Sequence, residues 1–237
     1  MKDIRRVIFN NGVACFAFDS SDEVIDYVSE KKGLLIAINA EKILHATDET
    51  RAIINRNIGY ADGMGAVMAL KKHGCKDAVK IPGCELWLNI IERLQSSGKS
   101  FYLIGGKQSV IDETVAKLRN DYPDINIVGY RDGYIGSEAE KQLLLEDIGT
   151  AKPDVVFVAM GSPKQELLME EMAQKHDAIY QGLGGSFDVY TGHVERAPRW
   201  WRDHNLEFAY RVMRQPAKIK RLIRSMVFPI LVKMGRI

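Results

Sequence analysis

The 237-residue chain has only three cysteines, Cys15, Cys75 and Cys84, an odd number with no CxxC pair. That pattern indicates neither a disulfide framework nor a zinc ribbon, and it fits a reducing compartment. No run of about 18 apolar residues occurs, the longest candidate being Met226 to Val232, so a spanning helix is not expected. The opening MKDIRRVIFNNG turns polar too soon for a secretory signal. Neither a P-loop nor a GxGxxG fingerprint is present, and no Asp-x-Asp pair, the common clamp for a metal on a diphosphate, occurs anywhere. Metal dependence is therefore not expected. Internal repeats and linkers are missing too.

What is present is ordinary in bulk and uneven in detail. With 46% hydrophobic and 27% charged residues the chain resembles an average globular protein, long enough to bury a large core as one compact domain with an appendage. The net charge of +2 conceals a division. Residues 195–237 hold eleven basic and three acidic residues, and from Phe208 to the end there are eight basic residues and no acid. Such a patch suits phosphate, nucleic acid or an anionic membrane surface.

From residue 33 onward short apolar runs alternate with amphipathic stretches. This predicts strands at 33–39, 57–61, 100–104, 125–130, 154–159 and 178–182, with helices at 48–56, 64–73, 84–97, 108–121, 137–150 and 164–176. The alternation signifies a mostly parallel α/β sheet. The first 32 residues read as a small hairpin and a helix starting near Ser20 and Glu23. Ligands of such sheets bind beyond the carboxyl ends of the strands. Here those ends read INAEK (38–42), YADGMG (60–65), LIGGKQ (103–108), AMGSPKQE (159–166) and GLGGSFDVYTGHVERAP (182–198).

Each string has a plain reading beside a chemical one. Gly105 and Gly106 let backbone N–H groups approach a phosphate at a helix start, and a structural turn explains them equally well. Ser162 and Pro163 suit a helix start, which does not account for Lys164, Gln165 and Glu166 together; Gly161 and these residues suit a nucleotide-sugar site. Asp62 reads either as a turn-forming Asp-Gly or as a general base with little side-chain bulk around it. The long segment before Pro198 carries Asp188, His193 and Arg196, and His193 reads as a structural or surface residue because no second ligand falls at metal spacing. In the tail, Arg211, Arg214, Lys218, Arg221 and Arg224 fall on one side of a helix and Ile219, Leu222, Ile223, Met226 and Ile230 toward the other. A core is expected to fold without the residues from about Arg211 onward.

These strings, in this order, resemble the WecG/TagA/CpsF family of bacterial glycosyltransferases over about residues 33–224, and INAEK, YADG and TGHVERAP look most like its N-acetylmannosaminuronic acid branch. The resemblance implies a Rossmann-like core with helices on both faces (1–207) and a basic, membrane-associating helical appendage (208–237). It implies inverting, metal-independent transfer from a UDP-sugar to undecaprenyl-diphosphate-linked N-acetylglucosamine in enterobacterial common antigen synthesis. The expected setting is the cytoplasmic face of the membrane, with anionic lipid as partner, no cofactor, no nucleic acid, and a homo-oligomer left open. Carried over, Asp62 looks like the base, and Asn39, Gln165, Gly184 and Gly185 like parts of the donor pocket. Arg211, Arg221 and Arg224 look like the appendage's groups for the diphosphate. Two departures stand out: Ala37 where many members have threonine, and Lys80, before Gly83, where many have arginine, a better bidentate phosphate binder.

The residues agree with that chemistry, since a single displacement needs a base on the acceptor and positive charge or helix N-termini on the departing diphosphate. Lys42 and Arg196 are expected to face a sugar carboxylate. Three other readings stay open: a teichoic-acid type N-acetylmannosaminyltransferase, a nicotinamide oxidoreductase, and a non-enzymatic module that binds nucleic acid or membrane through the tail alone.

Overall fold

The computed structural model describes residues 4–204, 207–214 and 227–237. A hairpin of β1 (Arg6–Ile8) and β2 (Ala14–Phe16) leads into α1 (Ser21–Lys31), and then strands and helices alternate. They are β3 (Gly33–Ile38), α2 (Ala40–His45), α3 (Asp48–Arg56), β4 (Ile58–Ala61), α4 (Met64–Lys72), α5 (Gly83–Gln95), β5 (Ser100–Gly105) and α6 (Gln108–Asp121). There follow β6 (Asn126–Arg131), α7 (Glu138–Ala151), β7 (Val155–Ala159), α8 (Lys164–Ala173), β8 (Ile179–Gly182), α9 (Ser186–Tyr190), α10 (Arg199–Asp203) and α11 (Glu207–Arg214). Helix boundaries follow local chemistry: the Ser20 side chain accepts the Glu23 N–H at 3.1 Å, and Ser137 accepts that of Glu140 at 3.2 Å.

The strands form an eight-stranded sheet in the order β1-β2-β4-β3-β8-β7-β5-β6, parallel except for the β1–β2 pair. Strands β4, β7 and β8 are buried throughout because helices cover both faces. One core layer gathers Ile36, Leu70, Val158 and Met169, and the opposite layer gathers Trp87, Phe101, Phe157 and Phe187. This is the expected α/β architecture. Registers fix the functional edge: Ile38 lies opposite Ala61, Val158 opposite Gly182 and Gly105 opposite Ala159, while Leu35 opposite Gln181 lets β3 and β4 run two residues past the end of β8.

Two differences from expectation stand out. The six-residue helix α2 follows β3 directly, capped by Asn39. The residues from Arg211 onward, without which a core is expected to fold, nonetheless bring three side chains to it. Phe228, Val232 and Ile237 are buried in the first core layer, with residues 227–233 helical. Asn10 Nδ2 donates to the Gly235 carbonyl at 2.7 Å and ties this return to the N-terminal hairpin.

Candidate functional site

Asp62 leaves β4 beside Asn39, which leaves β3, because their strands end in register. The Asp62 N–H donates to the Ile38 carbonyl at 2.9 Å, and its Oδ1 accepts the Gly83 N–H at 2.7 Å. Gly83 opens α5, so the carboxylate meets a helix N-terminus that favours negative charge. The carboxylate thus reaches 21 residues along the chain rather than capping its own turn, and α4 has no side-chain cap at Gly63. The Asp-Gly turn reading does not account for that. Only glycine fits at 83, where an added Cβ would lie 2.6 Å from the Tyr60 hydroxyl.

Beneath Asp62 the buried Tyr60 phenol is pushed far above its usual range, first by burial and then by the Asp62 charge, so it stays neutral. Gln181 Nε2 lies 3.4 Å from both the Tyr60 hydroxyl and the Gly83 carbonyl. Sequence reading missed Tyr60, Gly83 and Gln181 as the support of the site. The one available signal was a glutamine inside the apolar run of β8.

On the other side of Asn39 the polar groups are linked in series. Asn39 Oδ1 caps α2 by accepting the Lys42 N–H at 2.9 Å. Lys42 Nζ pairs with Glu166 Oε1 at 2.6 Å, with the side chains only 12% and 4% exposed. Gln165 Nε2 donates to the same Glu166 oxygen at 3.2 Å, while Gln165 Oε1 accepts the N–H groups of Gly161 at 3.1 Å and Gly184 at 2.9 Å. Gln165 therefore braces the exits of β7 and β8 against each other. A side chain at Gly182 would displace the Gln165 amide, since its Cβ would stand 2.4 Å from Gln165 Nε2.

The exits of β5 and β7 differ in character. Gly105, at φ 138°, lets the strands close, since a Cβ there would lie 2.3 Å from the Ala159 carbonyl oxygen. The Gly106 N–H donates to that same carbonyl at 3.2 Å, in line with the structural-turn reading of these glycines. Helices α6 and α8 start without side-chain caps, next to Lys107 and at Lys164. Both lysines are exposed, and their side chains have no hydrogen bond or ion pair among the described residues. Lys164 and Met160 line a cavity of about 330 Å³ with Gly133, Tyr134, Ile135 and Gly136. Half-buried Lys80 precedes Ile81, whose N–H donates to the Ala61 carbonyl at 2.8 Å and holds this loop at the end of β4.

Asp188 is half-buried on α9, downstream of Gly184 and the exposed Gly185. Arg196 does not stand as a free cation: it pairs with Glu85 at 2.6 Å and approaches Glu207 at 3.9 Å, joining its loop to α5 and α11. Lys42 is likewise already paired, so the expectation of two open cations for a sugar carboxylate is revised. His193 pairs with Glu113 at 2.7 Å on the surface, as its reading held. Among the described residues no three His, Cys, Asp or Glu side chains gather as a metal site, and no helix is long and apolar enough to cross a membrane.

Arg211 lies in α11, whereas Lys218, Arg221 and Arg224 lie outside the described residues. Beyond them the chain returns to the site's margin. A Cβ on Gly65, three residues after Asp62, would stand 3.2 Å from the Phe228 ring. Residues 8–236 match the model of the glycosyl transferase WecG/TagA/CpsF family.

Proposed function

The chain belongs to the WecG/TagA/CpsF glycosyltransferase family, and on that premise we propose that it moves N-acetylmannosaminuronic acid from a UDP donor to undecaprenyl-diphosphate-linked N-acetylglucosamine. Glycosyl transfer in polysaccharide synthesis is the family's activity. In the proposed step Asp62 takes the proton of the acceptor hydroxyl as that oxygen bonds C1 of the sugar. The C1–O bond to UDP breaks, and its electron pair leaves with the diphosphate. Attack from the face opposite the leaving group inverts C1.

The observation that carries this reading is the order of groups along the strand ends. Asp62 lies at β4, Asn39 and Lys42 follow β3, and Gln165 and Glu166 are braced to the exit of β8. Lys164 follows β7 and Lys107 follows β5. With neighbouring strands about 4.8 Å apart, the β4 and β7 exits are roughly 14 Å apart, a span suited to a nucleoside-diphosphate sugar. A base at one end and uncompensated cations with uncapped helix starts at the other match the charge that develops on each side. Lys164 and Lys107 are the proposed diphosphate contacts among the described residues, joined by Arg211, Arg221 and Arg224 of the tail, whereas Lys80 lies at the β4 end beside the base. Positive groups in these roles make a metal unnecessary, so activity should persist in excess EDTA. The basic tail is proposed to hold the enzyme at anionic lipid on the cytoplasmic membrane face, each surface cation contributing about 1 kcal/mol.

One observation favours a second donor, uncharged UDP-N-acetylmannosamine: Lys42 and Arg196 are both neutralised by carboxylates of the chain. The two donors are compared directly by kcat/KM. A higher value for the uronic acid supports the first reading, and a higher value for the uncharged sugar replaces it with the second. The nicotinamide reading gives way to the family match, and the expected melting shift is with UDP, not with NADH.

A further inference from the structure

We infer that Glu166 reads the transferred sugar, its Oε2 accepting a hydroxyl or amide hydrogen of that ring while Oε1 holds Lys42. The inference rests on the UDP-sugar reading above and assigns one group within it. A carboxylate offers about four acceptor positions across its two oxygens. In Glu166 both described donors, Lys42 Nζ at 2.6 Å and Gln165 Nε2 at 3.2 Å, use Oε1. Oε2 is buried and has no partner among the described residues, although the side chain is only 4% exposed. A purely structural ion pair on a buried carboxylate satisfies its second oxygen as well, because a buried unpaired acceptor is unfavourable. A missing donor is what a ligand supplies.

Position decides which part of the ligand that is. Lys42 lies in the first turn of the helix capped by Asn39, and an added Cβ on Gly63 would lie 3.5 Å from the Asn39 Cβ. Glu166 is thereby linked through Lys42 and Asn39 to the segment carrying Asp62, and it is removed from the Lys107 end. The group transferred must lie next to the base, so the ring lies on the Glu166 side and the diphosphate on the other. The flanking glycines leave room there: added Cβ atoms on Gly161, Gly184 and Gly185 would meet nothing within 4 Å. Gln165 cannot take this role through its oxygen, which already accepts two backbone N–H groups.

The test uses the full chain, wild type and Glu166→Gln, with UDP, the UDP-sugar, and donor analogues each lacking one ring hydroxyl or the acetamido group. Glutamine keeps the shape and an oxygen for Lys42 but loses the charged acceptor. The expected result is UDP affinity within about 2-fold of wild type and kcat/KM for the UDP-sugar lowered at least about 30-fold, as for a site built around a substrate hydrogen-bond donor. One analogue should be rejected strongly by wild type and by less than about 3-fold in the variant. UDP affinity and kcat/KM falling together, kcat/KM unchanged, or unchanged analogue discrimination would each overturn the assignment. Should the variant not fold, the wild-type series decides alone: a single analogue losing at least about 30-fold supports the assignment, and a series in which none loses that much overturns it. Wild type that binds no UDP would instead overturn the donor reading itself, and this inference with it.

Discussion

The two ends of the strand-exit cleft are built on opposite terms. At the β4–β3–β8 end, Asp62 is held by the start of α5, Lys42 by Glu166, and the loop at Gly184 by Gln165. At the β7–β5 end, Lys164 and Lys107 stand exposed without partners among the described residues, beside helices that begin uncapped. On the proposed function, the difference follows from what each end would meet. A base and groups that read a sugar act through direction, so their geometry must be fixed before the substrate arrives. A diphosphate brings its own charge, and a cation already neutralised by the protein would attract it less.

The comparison is broken most strongly at its fixed end. Phe228 is 1% exposed and packs over Gly65, at the start of α4. Phe228→Ala should cost about 3–5 kcal/mol and lower Tm by roughly 10 °C. A melting shift within about 2 °C would separate the chain's return from the rigidity of this end. Next in size, Asp62→Asn should reduce turnover at least about 100-fold with UDP affinity retained, the usual scale for a general base. Near wild-type turnover would remove Asp62 from that role. Lys164→Ala sharpens the contrast from the other end. UDP affinity should fall about 10-fold, within the range for a charge-assisted contact, with the preference among sugars unchanged. A change in sugar preference without loss of UDP affinity would reverse the proposed order of groups.

Much of this organisation was legible in the sequence where it depends on local pattern. Apolar runs ending in glycine or a polar residue located the exits of β3, β4, β5, β7 and β8 to within a residue, and Ser20 and Ser137 marked helix starts. The supports of Asp62 were not legible, because Gln181 reaches Tyr60 and Gly83 across 121 and 98 residues. Helix α2 was hidden by its length of six residues and by the dual character of Asn39, whose oxygen is used as a cap. Lys42 was recognised as a cation near the pocket, yet its partner lies 124 residues away.

The tail shows a different kind of failure. A single helical wheel continued from Arg211 places Ile230 inward, whereas Ile230 is 56% exposed and Phe228 and Val232 are buried. Residues 227–233 are helical, and the phase of this stretch is set by packing against the core. Among the tail arginines, the backbone of Arg211 falls in α11, while Arg221 and Arg224 lie outside the described residues.

The central claim is transfer of a sugar from UDP to a lipid-linked acceptor with Asp62 as base, and the mass of the product tests it most directly. Wild type and Asp62→Asn are incubated with synthetic prenyl-diphosphate-N-acetylglucosamine and UDP-N-acetylmannosaminuronic acid, and the acceptor is weighed over time. The account predicts that wild type adds one N-acetylmannosaminuronic acid residue to the acceptor and that the variant does so at least about 100-fold more slowly. An acceptor whose mass is unchanged by wild type with this or the uncharged donor, or equal conversion by the two proteins, would contradict it.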